Sequence, residues 1–196
     1  NLTKLAQDNK LDPVIGRENE IERVIQILAR RNKNNPALIG EPGVGKKTIV
    51  LGFAKKVSSG KARPELCHKR VLSLDMNRVV SERPLPEAKN QLLNLLLEAE
   101  SAGNVVLVIE NIDKFCASRG DSVDLTDVFA KVAGSFRLQL IGITIPEAYF
   151  QKLIFNDQFI KLFEKIDVAA PNPAEALTIL MEKVPFFEEG KKIKIS

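Results

Sequence analysis

An α/β fold with a mainly parallel sheet is predicted by three observations. Short apolar runs alternate with helical patterns along the chain, and a glycine-rich turn joins one such run to a helix. The strongest run, Val105-Val106-Leu107-Val108-Ile109, is apolar throughout, as a parallel strand covered on both faces must be. In folds of this kind ligands gather at the carboxyl ends of the strands.

Residues 1–7 suit one short helical turn, and 12–17 read as a structured loop because Pro13 and Gly16 both interrupt helix. Ile21, Val24, Ile25 and Leu28 recur at helical spacing, so 18–31 is an amphipathic helix that polar Asn32 to Asn35 and Pro36 end. A strand at 37–39 precedes the glycine-rich turn. Ile49, Val50, Phe53, Ala54 and Val57 give the next helix one buried face as far as Ser58-Ser59-Gly60. Residues 71–75 form a second strand. Pro84 and Pro86 around Leu85 predict a loop over 81–87, followed by a leucine-rich helix over 88–102 that Gly103-Asn104 closes. After the strand at 105–109 come a helix at 124–132, a strand at 138–144, helical pieces over 147–163 and an edge strand at 166–168. Pro171-Asn172-Pro173 marks a hinge and a helix start, with Asn172 as cap and Pro173 at the first helical position. Leu177, Leu180, Met181 and Val184 continue that helix until Pro185, which is predicted to stop it.

The chain has 196 residues, 44% of them hydrophobic, enough for one compact domain or for a larger and a smaller subdomain. Lys plus Arg exceed Asp plus Glu by 29 to 25, spread along the chain, so the charge reads as solvated surface and not as a nucleic-acid patch. Cys67, Cys116 and the single histidine, His68, lack metal-ligand spacing, and no metal site is predicted from them. Two reduced thiols suit a reducing compartment, the cytoplasm or an organelle's stroma or matrix. No run reaches the ~18 apolar residues of a membrane span. The start is not Met, and the chain reads as the interior of a longer one.

The chemistry concentrates in Gly40-Glu41-Pro42-Gly43-Val44-Gly45-Lys46, which has the G-x-x-x-x-G-K spacing of a phosphate-binding P-loop between a strand and a helix. Its backbone N–H groups and the helix N-terminus can hold polyphosphate oxygens while Lys46 adds a positive charge. A functionless glycine-rich turn is the competing reading, and the number of fixed positions argues against it. The motif wants Ser or Thr next, to ligate magnesium, and this chain has Lys47, whose ammonium has no lone pair to offer. Thr48 lies one residue further, about 100° around the helix.

With residues 11–17, 23–31, 34–46, 71–76 and 140–144 in view, the chain resembles the first ATPase domain of the Clp ring unfoldases, the ClpC and ClpB type within the AAA+ class. The resemblance covers nearly the whole chain. It implies a P-loop AAA+ fold with a large α/β subdomain over 1–170 and the start of a small helical lid over 171–196. It also implies ATP or ADP as cofactor, with Val14 and Ile15 over the adenine. Partners would be other Clp-type subunits or a tandem ATPase domain in a ring, with a protease or adaptor protein, and neither nucleic acid nor membrane.

Carried over position by position, most of the family's working parts are changed. The lysine is kept as Lys46, but Lys47 stands at the magnesium-binding threonine. The family's Asp-Glu, for metal contact and water activation, is Glu110-Asn111, and a neutral amide cannot take a proton from water. Its Thr-Thr near the γ-phosphate is Thr144-Ile145. Its trans-acting arginine pair falls at Lys161-Leu162, and lysine lacks the planar fork that stabilises a spread phosphoryl charge. The gripping aromatic of the pore loop aligns with Leu85. Together these changes predict a domain that folds and assembles but has lost hydrolysis, with weak, magnesium-insensitive nucleotide binding. Lys47 is expected either to supplement the phosphate-binding charge or, against binding, to crowd the site or pair with Glu110 and close it. An active ATP-driven unfoldase with atypical residues is the alternative. A nucleic-acid-handling AAA+ module is disfavoured for want of a basic stripe interleaved with aromatics.

Overall fold

The structure is a computed structural model that describes residues 1–11, 13–80, 84–116, 124–133 and 136–191. The strands β1 (Asn35–Ile39), β2 (Arg70–Leu74), β3 (Val105–Glu110), β4 (Leu138–Thr144) and β5 (Phe163–Asp167) form one sheet in the order β2-β3-β4-β1-β5. Every pairing is parallel. Helices α1 (Leu2–Gln7), α2 (Glu18–Leu28), α3 (Lys46–Ser58), α4 (Met76–Val80), α5 (Leu85–Ala102), α6 (Thr126–Val132), α7 (Pro146–Gln151), α8 (Asp157–Leu162) and α9 (Pro173–Lys191) complete the fold, with 3₁₀ turns at Ile112–Lys114 and Leu153–Phe155. The predicted α/β architecture is therefore present.

Alternate strand residues feed two cores, as a sheet covered on both faces requires. Leu38, Val106, Val108, Ile141 and Ile143 pack with α2 and α3, around Phe53. Ala37, Ile39, Leu107, Ile109 and Leu140 pack with α5, α6 and α8 on the other face. Helix α1 closes over the edge at β2, where the Thr3 hydroxyl accepts the Val71 N–H at 2.7 Å.

Proline accounts for three departures from the sequence reading, while the edge strand expected at 166–168 begins earlier, as Phe163–Asp167, and the helix expected at 124–132 begins later, at Thr126. Pro36 lies inside β1, which begins two residues earlier than predicted. Proline has no N–H for the ladder, and the buried Asn35 side chain supplies bonds at this end of the strand. Its Oδ1 accepts the Leu140 N–H at 2.8 Å, and its Nδ2 donates to the carbonyls of Ala133 and Leu162. The loop predicted over 81–87 is shorter, because Pro84 caps α5 and Pro86 sits in its first turn, where N–H groups lack helical partners anyway; Ser81, Glu82 and Arg83 lie outside the described residues. Helix α9 continues past Pro185 to Lys191. An interior proline forfeits one bond and costs about 3 kcal/mol, and a long helix can accommodate that by bending.

Two charged side chains stiffen the frame. Lys69 is buried, donates to the carbonyls of Phe136 at 2.7 Å and Gly103 at 3.4 Å, and lies 4.7 Å from the Phe136 ring centre. Its burial lowers its pKa. On β5, Glu164 meets Lys33 at 3.1 Å, Arg30 at 3.3 Å and Arg23 at 4.0 Å. Burial alone raises the Glu164 pKa, but hydrogen bonds and charge from Lys33 and Arg30 outweigh it and leave the carboxyl below its ordinary value. A depressed carboxylate pKa stabilises the fold above the unfolded value of about 4.3 and stops doing so as pH falls through the folded value. Glu164→Gln is accordingly expected to cost about 1 kcal/mol in urea unfolding at pH 7, with the difference from the natural protein shrinking as pH falls below about 4.

Candidate nucleotide-binding site

The register of the sheet brings the predicted loop residues to one edge. Ile39 at the end of β1 pairs with Thr144 at the end of β4, and Ile143 pairs with Glu110 at the end of β3. The loop leaving β1 therefore stands beside Thr144-Ile145 and Glu110-Asn111. Only a residue without a side chain fits at Gly40, since a Cβ there would come within 2.5 Å of the Val168 carbonyl oxygen. Gly45 has φ +100° immediately before α3, a conformation that strains any other residue. Beyond it, the first-turn N–H groups of the 13-residue α3 lack helical acceptors and, with the helix dipole, favour an anion.

A groove of about 400 Å³ runs along this edge, bordered by Pro42, Gly43, Gly45, Lys46, Lys47 and Thr48 on one side and by Glu110, Asn111, Ile143, Thr144 and Ile145 on the other. Lys46 turns back over its own loop and donates to the carbonyls of Gly40 and Glu41. Desolvation lowers the Lys46 pKa, opposed by the charge of Glu41. Lys47 pairs with Glu110, Nζ to Oε2, at 2.8 Å. The two side chains are 71% and 41% exposed, so the pair adds little to stability. Its consequence is chemical: the Lys47 ammonium has no lone pair to offer a metal, and it engages the Glu110 carboxylate. Magnesium requires oxygen ligands in a strict octahedron, and this donor set does not fit it. Among the described residues no group of three or more His, Cys, Asp or Glu side chains is placed to hold a metal.

The remaining predicted residues divide by position. Asn111 is exposed, with φ 51° in the left-handed region that asparagine tolerates, at the head of the Ile112–Lys114 turn. Thr144 is only 1% exposed and its hydroxyl donates to Asp113 Oδ1 at 2.6 Å, so it is committed within the protein. Glu41 is exposed at the top of the loop. Ile15 borders a second cleft of about 160 Å³ together with Arg17, Val44, Thr48, Pro171 and Ile179. Val14 is half-buried against the α2–α3 layer. Lys161 and Leu162 end α8 and border neither the groove nor the cleft. Two residues at the site have no role in the sequence reading. Asp113 holds Thr144, and Arg17 is 6% exposed and reaches Glu20, Val44 and Ala169.

Comparison with known proteins places this geometry. The family described as ATPase family associated with various cellular activities (AAA) matches residues 36–165, from β1 through β5. The chain belongs to the AAA family. Among curated relatives, this AAA domain is 36% identical over 198 residues to the ATP-dependent Clp protease ATP-binding subunit ClpC of Staphylococcus aureus (strain USA300), covering 100% of the chain and 24% of the relative. It is 36% identical over 200 residues to the chaperone protein ClpB of Aquifex aeolicus (strain VF5), covering 100% of the chain and 20% of that protein. It superposes on the S. cerevisiae Hsp104:casein complex in its extended conformation with a TM-score of 0.89 at 31% identity, covering 100% of this chain and 34% of that one. For the S. cerevisiae Hsp104-ADP complex the TM-score is 0.88 at 31% identity, covering 100% and 28%. The chain thus spans about a quarter of the length of the curated relatives it matches. Among the described residues no helix is long and apolar enough to cross a membrane.

Proposed function

We propose that this AAA domain holds ATP or ADP without magnesium and without hydrolysing it, as a structural or regulatory part of a Clp-type chaperone or protease assembly. The Lys47–Glu110 pair carries the reading, because it sets an ammonium, which cannot ligate a metal, against the carboxylate that the resemblance assigns to magnesium. Gly43, Val44, Gly45, Lys46 and the first turn of α3 would cradle the phosphates, with Val14 and Ile15 toward the base. Asn111 can orient a water but cannot deprotonate it. Lys161 and Leu162 supply no guanidinium to a neighbouring site. Residues 1–170 would form the large subdomain and 171–196 the start of a lid. Leu177, Leu180 and Met181, each more than half exposed on α9, support this, as apolar side chains that further lid helices would cover. Neighbouring Clp-type subunits or a tandem ATPase domain would complete a ring, in a reducing compartment that keeps Cys67 and Cys116 free.

The complete G-x-x-x-x-G-K loop favours a second reading, a working unfoldase motor with atypical residues. Phosphate release at millimolar ATP with magnesium separates the two. The pseudo-ATPase reading expects background release that Lys46→Ala does not change. Steady release that Lys46→Ala abolishes establishes the motor.

A further inference from the structure

We propose that Arg17 is a positioning residue that aims the Gly45 N–H into the anion cradle and ties that cradle to the segment leading into α9. The inference rests on the nucleotide-holding reading of the groove. Arg17 is almost wholly buried, and besides its neighbour Glu20 its guanidinium reaches two parts of the chain that are remote in sequence. Nη1 meets Glu20 Oε1 at 2.6 Å, in the adjoining first turn of α2. Nη2 donates to the carbonyl of Val44 inside the P-loop and to that of Ala169, just after β5, at 3.0 Å.

The Val44 carbonyl and the Gly45 N–H belong to one planar peptide unit, and the peptide bonds are trans. In such a unit the two groups point in opposite directions. Holding the carbonyl against Arg17 therefore directs the Gly45 N–H away from Arg17, on the side where the loop and the first turn of α3 border the groove. Glycine at 45 has unusual rotational freedom, so without this hold the peptide can turn and present its carbonyl, which repels an anion, in place of its N–H. The Arg17 side chain also fills the space beside this glycine, with Nε 3.3 Å from where a Gly45 Cβ would stand. The bond to Ala169 gives the same fork a grip on the backbone two residues before Pro171, so the seating of the phosphates and the exit toward α9 share one side chain.

The test reads the peptide directly. The one-bond N–H residual dipolar coupling of Gly45 is measured without nucleotide in the natural protein, in Arg17→Gln and in Arg17→Lys, with the amides of β1 and β4 as the fixed frame. The Gly45 coupling is expected to change in both variants while the strand couplings hold. Arg17→Lys, which keeps the charge without the fork, also serves if Arg17→Gln does not fold. Calorimetry with ATP then expects about tenfold weaker binding in Arg17→Gln. Glu20→Gln, which leaves the Val44 carbonyl bond in place, is expected to change affinity less than about twofold. An unchanged Gly45 coupling in the Arg17 variants overturns the proposal, as does an equal loss of ATP affinity in Glu20→Gln. If the natural protein binds no ATP, the functional reading falls, and the coupling still decides the role of Arg17.

Discussion

Lys46→Ala is expected to weaken ATP binding about 10- to 100-fold, because hydrogen bonds to a charged group contribute about 1.5–3 kcal/mol each. Lys46 is the one ammonium whose position in the P-loop spacing puts it over the phosphates, and without a ligand it is held by two loop carbonyls, Gly40 and Glu41. Desolvation depresses its pKa, so its charged form gains nothing from folding, and removing it should leave stability within about 1 kcal/mol of the natural protein. Calorimetric titration beside a thermal melt checks both halves. A large fall in melting temperature would mean that Lys46 is a structural strap and that the loss of binding says nothing about phosphates.

The second large effect is expected from Lys47→Thr combined with Glu110→Asp. The natural pair puts an ammonium 2.8 Å from the carboxylate, whereas the double variant offers a hydroxyl and a shorter carboxylate, the oxygen ligands that magnesium takes. Magnesium is expected to tighten ATP binding by the double variant about tenfold or more and to change binding by the natural protein less than about twofold. Equal responses in the two proteins would mean that the Lys47–Glu110 pair opens readily and does not govern metal use.

The central strands β1, β3 and β4 were legible because they are buried on both faces and read as apolar runs, Val105 to Ile109 above all. The edge strand Phe163–Asp167 reads as 166–168 alone because Glu164 and Lys165 break its apolar pattern. Three other misread boundaries involve proline, whose penalty depends on whether its N–H position had a partner to lose. At Pro86 it had none, and at Pro36 the neighbouring Asn35 side chain provides bonds that no spacing rule anticipates. The phosphate loop was legible from spacing alone. Pairing of Lys47 with Glu110 stood as one of two expectations, and the register of β3, β4 and β1 brings them together. Arg17 and Asp113 escaped for a different reason. The Arg17 bond to Ala169 spans 152 residues and Asp113 meets Thr144 across 31, so neither leaves a local pattern.

Calorimetric titration of the natural protein with ATP, with and without magnesium, tests the central claim most directly. Saturable binding with the same affinity in both conditions is the predicted result, with Lys46 and the loop N–H groups holding the phosphates and the Lys47–Glu110 pair keeping the metal out. Binding that appears or strengthens severalfold only with magnesium would contradict it and return the domain to the metal-dependent motors.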